Sequence, residues 1–561
     1  MEEEINSSSK QTKLLIGELL KEHGYITQEL IDIALKVQKI DKKYLGEVLL
    51  SLNFVTAQEI AIVIAKQSNV QYIDIDTKVI ESDVLNIIPF DIASQKVFLP
   101  IEIVDDTLIV ATENLHDVVT IDYLNKISSY KIKLVVSEEN KIKRRINLEY
   151  SQLEGTIESQ IEDIIDTVKD SESINTIKLI DLLIDNAIKD NATDIHITPD
   201  NNLFHISFRV DGVLHLYYVL PISVMLHLIS RIKILSKMDI SEQRRPQDGS
   251  FSHTFNADNY DLRVSSIPTL NGENIVMRIL SSNTSAFNID NLGFQKNEVD
   301  TLKKLFNKPY GIVLVTGPTG SGKTTTLYSL LRHVNFIQKN IITIEDPVEY
   351  KFPFIKQTQI NEKSGYTFDT AIRHFMRQDP DVILVGEVRD SETAKLAVRA
   401  SITGHLVLST LHTNDAVSAI PRLVDLGVKN QMLSSSILAI LSQRLIRRLC
   451  GFCKEEYTIT KDELVEFGFE KEWLENSSEN ITISKEVGCS YCKNTGYKGR
   501  EAVVEIFTIS DTVKQMINSK KSYLSILKQA KSEGMYVMKH NALLKVLDGQ
   551  TSLDEIKRVI L

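Results

Sequence analysis

Four short apolar runs lie between residues 311 and 415, and each is closely followed by glycine or by polar side chains. Runs of this length, rich in valine and isoleucine, are typical of buried parallel strands. The segment TTLYSLLRHV (325–334) has the apolar period of a helix. We therefore predict an open α/β sheet that binds its ligand at the carboxyl ends of its strands. The four runs lie in GIVLV (311–315), NIITIEDPVE (340–349), DVILVGEVRD (381–390) and HLVLSTLHTND (405–415).

An internal repeat lies near the start of the chain. The segment LIGELLKEHGYITQELIDIALKVQ (15–38) recurs as YLGEVLLSLNFVTAQEIAIVIAKQ (44–67) at one offset of 29 residues. Two copies of a helix-turn-helix unit are the simplest account of this repeat. Residues 70–150 are predicted to continue as a mixed α/β structure, with a β-hairpin that turns at Asp105 and Asp106.

Two further segments complete the predicted organisation. Acidic residues dominate 154–172, and Ile161, Ile164, Ile165 and Val168 keep helical spacing, which predicts an amphipathic helix within a mobile linker. Residues 534–560 are predicted to form two helices that are separated by a turn at Gly549. The predicted divisions are an N-terminal domain (1–150), an acidic linker (151–173), a small α/β domain (174–285) and a C-terminal α/β domain (286–561) with a cysteine segment (450–492).

Composition narrows the class of protein. A chain of 561 residues is too long for one core, and 43% hydrophobic with 25% charged residues is typical of globular domains. The net charge of -11 argues against non-specific nucleic-acid binding. Because the start is polar and no apolar run is long enough to span a membrane, we expect a cytoplasmic protein. The basic runs 141–145 and 444–448 are expected to be solvated or to contact an acidic partner.

The stretch GPTGSGKTTT (317–326) follows the first apolar run and opens the predicted helix. It matches GxxxxGK[ST], in which backbone N–H groups surround the phosphates of a nucleotide, a lysine reaches the β and γ oxygens, and a hydroxyl ligates Mg²⁺. We therefore predict binding of ATP and Mg²⁺, with the magnesium ligand at Thr324. The predicted nucleotide-binding residues are Gly317, Pro318, Thr319, Gly320, Ser321, Gly322, Lys323, Thr324 and Thr325.

Hydrolysis of a γ-phosphate needs one carboxylate to orient water and a second near the metal ion. Glu345 and Glu387 end two of the predicted strands, and the sequence does not rank them for these roles. His412 ends a third strand, where it is either a sensor of the γ-phosphate or a structural histidine.

All four cysteines form two pairs of the type C-x₂-C, which are separated by 35 residues. Two such turns close a tetrahedral Cys₄ zinc site, and a reducing cytoplasm disfavours a structural disulfide. We predict a structural Zn²⁺ that has no open coordination position. Its ligands are Cys450, Cys453, Cys489 and Cys492.

Four stretches in order resemble the secretion ATPase superfamily of bacterial type II secretion and type IV pilus systems. They are GPTGSGKTTTLYS, TIEDPVEY, RQDPDVILVGEVRD and TGHLVLSTLHTNDA. The resemblance implies an α/β multidomain protein with a RecA-like P-loop motor domain that works as a ring of six copies. It also implies a small α/β domain before the motor, in which Arg263 and Arg278 match arginines that complete a neighbouring copy's site. Paired cysteine knuckles are similar to those of the extension and secretion ATPases of this family.

The N-terminal repeat resembles a tandem motif that binds cyclic di-GMP in some members of the same superfamily. The motif begins with arginine, whereas this chain has Leu15 and Tyr44 at the two positions. Arginine stacks on guanine and makes bidentate phosphate contacts that leucine does not make. Cyclic di-GMP binding and a purely structural or partner-docking role therefore both remain open, and the structural or docking role is favoured.

From these residues and the resemblance, we expect a homohexameric ATPase that powers type IV pilus assembly. Membrane association is expected to be peripheral, through an inner-membrane platform protein and other assembly proteins. The alternatives are a type II secretion ATPase that drives pseudopilus assembly and, more remotely, a nucleic-acid motor. The negative net charge argues against the nucleic-acid motor.

Overall fold

The structure is a computed structural model, and it describes residues 15–52, 54–115, 117–151, 157–170, 175–256, 258–281, 289–334, 336–475 and 477–561. The chain divides into two compact units, Met1–Ser285 and Ala286–Leu561. Among the described residues, no helix is long and apolar enough to cross a membrane.

The first part of the first unit is a helical repeat followed by a small three-stranded sheet. In the sheet, β1 and β2 are antiparallel and turn at Asp105 and Asp106, and β2 and β3 are parallel. The predicted hairpin is therefore confirmed. The helices are α1 (Ile16–Glu22), α2 (Gln28–Asp41), α3 (Leu45–Ser51), α4 (Ala57–Gln67), α5 (Ser82–Leu85), α6 (Phe90–Lys96), α7 (Val118–Ile127) and α8 (Glu139–Ser151), and the strands are β1 (Leu99–Val104), β2 (Thr107–Thr112) and β3 (Lys131–Val136).

The two copies of the repeat form equivalent pairs of helices, α1 with α2 and α3 with α4. Equivalent glycines lie where the helices approach one another. A Cβ at Gly17 would lie 3.5 Å from side-chain atoms of Ile31 and Leu45, and one at Gly46 would lie 3.7 Å from Ile60. The predicted helix-turn-helix repeat is confirmed.

The second part of the first unit is a six-stranded antiparallel sheet in the order β6-β5-β4-β9-β8-β7. Helices α10 and α11 pack on it and form its apolar core. The elements are α9 (Ile157–Asp170), α10 (Thr176–Lys189), β4 (Ala192–Pro199), β5 (Leu203–Val210), β6 (Val213–Pro221), α11 (Ile222–Leu235), β7 (Gln247–Phe255), β8 (Asp258–Thr269) and β9 (Gly272–Ser281).

Helix α9 occupies the acidic segment that the sequence predicts to be a mobile linker. The amphipathic helix is present, but Ile157 and Ile161 are buried in the core formed with α10. Lys189 of α10 also pairs with Glu158, 3.3 Å between Nζ and Oε2. The apolar face thus fastens α9 to the small domain, because burial outweighs the acidity of the opposite face. Residues 152–156 and 171–174 of the predicted linker lie outside the described residues.

The second unit is built on a seven-stranded sheet in the order β12-β11-β13-β14-β10-β15-β18. Every neighbouring pair is parallel except β15 and β18, which are antiparallel. The elements are α12 (Lys296–Phe306), β10 (Gly311–Thr316), α13 (Lys323–Leu331), β11 (Ile341–Glu345), β12 (Lys356–Gln359), α14 (Phe368–Phe375), β13 (Val382–Val385), α15 (Ser391–Ile402), β14 (Leu406–Leu411), α16 (Ala419–Asp425), α17 (Asn430–Ser436), β15 (Ile437–Leu449), β16 (Glu455–Thr460), α18 (Lys461–Glu466), β17 (Asn480–Lys485), β18 (Tyr497–Thr508), α19 (Asp511–Asn518), α20 (Tyr523–Ser532), α21 (Met538–Leu547) and α22 (Leu553–Val559).

Helices cover both faces of this sheet. Ile312 and Leu314 of β10 face the core formed with α14, α15 and α17, whereas Val313 and Val315 face the core formed with α12 and α13. A strand that is buried on both faces reads as a continuous apolar run, which explains the sequence signal. The four predicted strands are therefore confirmed as β10, β11, β13 and β14.

The C-terminal part contains a two-stranded sheet, β16 with β17, and the helices α21 and α22 on either side of the predicted turn at Gly549. Their apolar side chains form one cluster with Ile446 of β15, Val503 of β18 and the single tryptophan, Trp473. This cluster attaches the cysteine segment and the last two helices to the edge of the main sheet.

Both basic runs, which the sequence predicts to be solvated or to contact an acidic partner, form ion pairs with carboxylates of the chain itself. In the first, Lys141 pairs with Asp74 at 2.9 Å, and Arg144 pairs with Asp76 at 2.6 Å. In the second, Arg447 pairs with Glu555 at 2.8 Å. These three acidic partners lie 67 or more residues away in sequence, so local charge patterning does not reveal them, whereas Lys143 and Arg145 pair with Glu139 and Glu149 within the same helix.

Candidate functional site

The phosphate loop 317–322 joins β10 to α13, as the sequence predicts. Gly317 and Gly322 have φ values of 142° and 83°, which favour glycine. Pro318, Thr319 and Gly320 are exposed at the crest of the loop, and Ser321 is buried beneath it. The loop therefore offers exposed backbone and the N-terminus of a helix to an anion, and this arrangement fits the phosphates of a nucleotide.

Lys323 lies in the first turn of α13, and its Nζ donates to the carbonyls of Gly317 and Pro318, each at 2.9 Å. Burial lowers the pKa of Lys323, while the nearby Glu387 carboxylate acts to raise it. Thr324 is exposed in the same turn, and Thr325 follows it. The lysine ammonium and the Thr324 hydroxyl are therefore both at the mouth of the loop.

Glu345, at the end of β11, is buried and fully hydrogen-bonded. Its carboxylate accepts from the hydroxyl of Tyr328, from Thr343 Oγ1 at 2.6 Å and from Gln357 Nε2 at 3.3 Å. Burial raises the pKa of Glu345, against these hydrogen bonds, which act to lower it. Three donors fix the orientation of this carboxylate.

Glu387 follows β13 and lies among charged groups. It forms an ion pair with Arg389, and its Oε2 lies 3.6 Å from His412 Nε2. Arg389 also approaches Asp346 at 3.9 Å, and its hydrogen bond to Glu387 raises its pKa. The structure thus brings Lys323, Glu387 and His412 to one edge of the sheet. Arg389 joins them, although sequence reasoning did not select it despite its place in the GEVRD stretch.

Gly386 explains how Glu387 reaches this edge. Its N–H donates to Ile344 O at 2.8 Å, and a Cβ there would lie 3.3 Å from both Glu345 Cα and Ile344 O. The close approach of two strand ends needs a residue without a side chain. Glycine at position 386 therefore lets the backbone that carries Glu387 pass close to the end of β11, which carries Glu345.

Two buried polar residues behind the site were missed by sequence reasoning. Gln443 of β15 contacts the phosphate loop: its Nε2 donates to Ser321 O at 2.8 Å. Glu505 of β18 accepts from the backbone N–H of Ala416 at 2.6 Å and of Met538 at 2.9 Å. It thereby connects the loop that follows His412 to helix α21. These contacts join residues 33 or more positions apart, so no local motif identifies them.

Arg263 and Arg278 lie in the first unit, directly opposite each other on the neighbouring strands β8 and β9. Arg278 Nε donates to the buried Asp194 Oδ1 at 3.0 Å, while 57% of the Arg278 side chain is exposed. Asp194 lies on β4 and fixes one edge of this guanidinium.

The four cysteine sulfurs all lie within 4.8 Å of one another. Three Sγ–Sγ distances are 3.8–3.9 Å. A tetrahedral ion with Zn–S bonds of about 2.3 Å sets its sulfurs about 3.8 Å apart, so the cluster fits zinc. Burial acts to raise the pKa of Cys492, but the N–H groups of Cys489 and Gly496 lower it to about 7. The backbone N–H groups thus favour the thiolate form of Cys492, whereas burial raises the pKa of Cys450 and of Cys453.

The family model described as Type II/IV secretion system protein matches residues 169–558. A second model, the MshEN domain, matches residues 68–156. The type IV pilus assembly ATPase PilB of Myxococcus xanthus (strain DK1622) is 35% identical over 557 residues, which cover 96% of this chain and 98% of that protein. Type II secretion system protein E of Aeromonas hydrophila is 42% identical over 400 residues, which cover 71% of this chain and 78% of that protein.

Among solved structures, the Legionella pneumophila ATPase DotB aligns with a TM-score of 0.50 at 20% identity, over 69% of this chain and 96% of that one. This likeness concerns the fold. Together with the family matches, it confirms the predicted α/β multidomain architecture with a P-loop ATPase domain.

Proposed function

This chain belongs to the Type II/IV secretion system protein family, and we propose that it is the homohexameric ATPase that powers assembly of a type IV pilus at the inner membrane. The observation behind the choice of a pilus is the length of the match. The Myxococcus xanthus pilus assembly ATPase aligns with 96% of this chain, including the N-terminal part. The type II secretion relative aligns with 71%.

A type II secretion ATPase is the second candidate. The type II relative is more identical in its aligned part, 42% against 35%, and this favours a shared motor whichever fibre is assembled. We propose the same chemistry for both candidates: hydrolysis of ATP drives pilin subunits out of the membrane through a platform protein. The platform protein and the other assembly proteins also supply the membrane association.

We propose the following roles within the site. The phosphate loop binds ATP, Lys323 contacts the β and γ oxygens, and Thr324 ligates Mg²⁺, which neutralises developing charge on the phosphates. Glu345 and Glu387 share the tasks of orienting water and supporting the metal ion, and His412 senses the γ-phosphate through Glu387. The support for these roles is their arrangement at one edge of the sheet.

Two substitutions distinguish the carboxylates. Glu345→Gln and Glu387→Gln each remove one charge at nearly constant volume. The variant at the residue that orients water is expected to hydrolyse ATP about 100-fold or more slowly while its affinity for ATP stays dependent on Mg²⁺. In the variant at the residue that supports the metal ion, the affinity for ATP is expected to become independent of Mg²⁺. Equal effects of both variants on binding and turnover would contradict the division of roles.

We propose that Arg263 and Arg278 complete the site of a neighbouring copy in the ring, as an arginine supplied in trans does in other nucleotide hydrolases. The exposed end of Arg278, oriented through Asp194, supports this role. We also propose that the cysteine cluster binds one structural Zn²⁺, with no part in hydrolysis.

For the N-terminal repeat we propose protein docking in preference to cyclic di-GMP binding. Leu15 and Tyr44 occupy the two motif positions and are 71% and 81% exposed. Neither side chain supplies the bidentate phosphate contact of arginine. Titration calorimetry with cyclic di-GMP is expected to show no heat of binding, and micromolar affinity would reverse this choice.

The function is tested in cells that produce Lys323→Ala in place of the unaltered chain. The variant is expected to fold and to lose ATP hydrolysis. Electron microscopy then scores pili, and the medium is assayed for exported enzymes. Cells without pili but with normal secretion support the pilus assignment. Piliated cells that retain their enzymes would reassign the chain to type II secretion.

A further inference from the structure

Gln443 is a neutral residue in the middle of β15, and only 2% of its surface is exposed. Its side-chain amide uses both its donor and its acceptor in hydrogen bonds to the phosphate-loop segment. Nε2 donates to Ser321 O at 2.8 Å, and Oε1 accepts from Thr326 Oγ1 at 2.7 Å. One amide therefore bridges the loop and the first turns of α13.

Both motif glycines of the loop lie against the same residue. A Cβ at Gly317 would lie 2.4 Å from the carbonyl oxygen of Gln443, and a Cβ at Gly322 would lie 2.9 Å from its Nε2. Strand β15 is also the parallel neighbour of β10, which leads into the loop. Gln443 thus supports the loop from the sheet side by backbone and side chain together.

We infer that Gln443 is the positioning residue that holds the phosphate loop in its nucleotide-binding shape. This inference rests on the proposed function as an ATPase. It adds to the nucleotide site a residue that lies outside the sequence stretches containing the phosphate loop, the two glutamates and His412. Gln443 acts through Ser321 and Thr326 and is not a catalytic residue.

The chemistry at this position requires an amide. Ser321 O needs a donor and Thr326 Oγ1 uses an acceptor, and glutamine supplies both at the correct length. Leucine would leave the carbonyl and the hydroxyl buried without these partners. An ionised glutamate would set a carboxylate oxygen against Ser321 O, and it would add negative charge beneath a phosphate site.

The test uses the full-length chain as Gln443→Leu and Gln443→Glu. Gln515→Glu, at an exposed position on α19 of the same unit, controls for the added charge. Kd values for Mg-ATP and Mg-ADP are measured with a fluorescent nucleotide analogue as the displaced probe, and kcat and KM are measured on the same samples. Far-ultraviolet circular dichroism and gel filtration establish that each variant is folded.

Both Gln443 variants are expected to bind both nucleotides about tenfold or more weakly, since Gln443→Leu removes both buried hydrogen bonds and Gln443→Glu replaces the donor to Ser321 O with a charged acceptor. KM should rise more than kcat falls, and Gln515→Glu should match the unaltered chain. If Gln443→Leu does not fold, Gln443→Glu decides, because it keeps the shape of the side chain.

A folded Gln443 variant whose two Kd values stay within about twofold of the unaltered chain would overturn the inference. So would a loss of kcat with KM unchanged. The proposed function fails in a different way: an unaltered chain that binds nucleotide but supports neither pili nor secretion in cells. That result would leave the comparison of Kd values intact.

Discussion

Replacing Glu555 by glutamine tests how strongly helix α22 is attached to strand β15. The Glu555 carboxylate is completely buried. It accepts from Arg447 at its backbone N and its Nε, both at 2.9 Å, and from Arg558 at Nε (2.8 Å) and Nη2 (2.6 Å). The Arg447 guanidinium also lies 3.9 Å from the ring centre of Tyr497.

The expected loss of stability follows from which charge stays buried. Removing one partner of a buried ion pair costs about 3–5 kcal/mol, because the other charge remains without a counter-charge. Arg558 is 44% exposed and regains water, whereas Arg447 is 16% exposed. We therefore expect a loss near the lower end, about 3 kcal/mol. With a urea dependence of about 3 kcal/mol per molar, the unfolding midpoint falls by about 1 M.

The assay is urea unfolding followed by tryptophan fluorescence. Trp473 is the single tryptophan, and it packs on the apolar cluster that contains Ile556 of α22. Its emission therefore reports on the part of the molecule that the substitution affects. Asp554→Asn is the matched control, since Asp554 is the exposed neighbour of Glu555 on α22 and loses the same charge.

The pH dependence gives a second check. Burial acts to raise the pKa of Glu555, but the two arginines outweigh it, so the pKa in the folded protein is below its ordinary value of 4.5. A lowered pKa in the folded state stabilises the protein above the unfolded pKa, and this contribution is lost as the pH falls through the folded value. The difference in urea midpoint between Glu555→Gln and Asp554→Asn should be largest at pH 7.5 and should narrow below pH 4.5. Equal midpoints of the two variants at pH 7.5 would refute this reasoning.

Three further substitutions test other parts of the structure. Cys489→Ser is expected to remove the bound zinc measured by atomic emission, whereas Ser490→Ala retains it; unchanged metal content in the cysteine variant would contradict the cluster assignment. Gly386→Ala should lower the stability of the second unit by about 1–3 kcal/mol and reduce hydrolysis, because its methyl group enters a packed contact between strand ends. Gly46→Ala, where contacts are ordinary, is the control, and equal thermal shifts would count against the steric argument. Glu505→Gln should lower both the unfolding midpoint and kcat, since an amide leaves one of two buried N–H donors without an acceptor; an unaltered kcat would separate β18 from the site.

Much of the ATPase domain could be predicted because its signals are local. The apolar runs of β10, β11, β13 and β14 are continuous, since helices cover both faces of the sheet. The phosphate loop follows one of these strands directly. The position of each carboxylate at a strand end then follows from the parallel arrangement alone.

The supporting residues could not be predicted because their partners are remote in sequence. Gln443 and Ser321 are 122 positions apart, and Arg447 and Glu555 are 108 apart. A single sequence contains no sign of such contacts, and a buried glutamine resembles any other polar residue in a strand. The sequence predicts the amphipathic helix α9 but not its packing on α10, because the spacing of its isoleucines does not show which surface covers them.

Strand β15 has Gln443 at its middle, and Cys450 follows its last residue. A change in the position of this strand therefore affects two proposed binding equilibria, zinc at the cysteine cluster and ATP at the phosphate loop. Thermodynamic linkage is reciprocal. If metal binding multiplies the affinity for nucleotide by some factor, nucleotide binding multiplies the affinity for metal by the same factor. If the proposed zinc raises nucleotide affinity, saturating nucleotide should leave a larger share of that zinc bound at equilibrium with a chelator, and metal retention would then report nucleotide affinity.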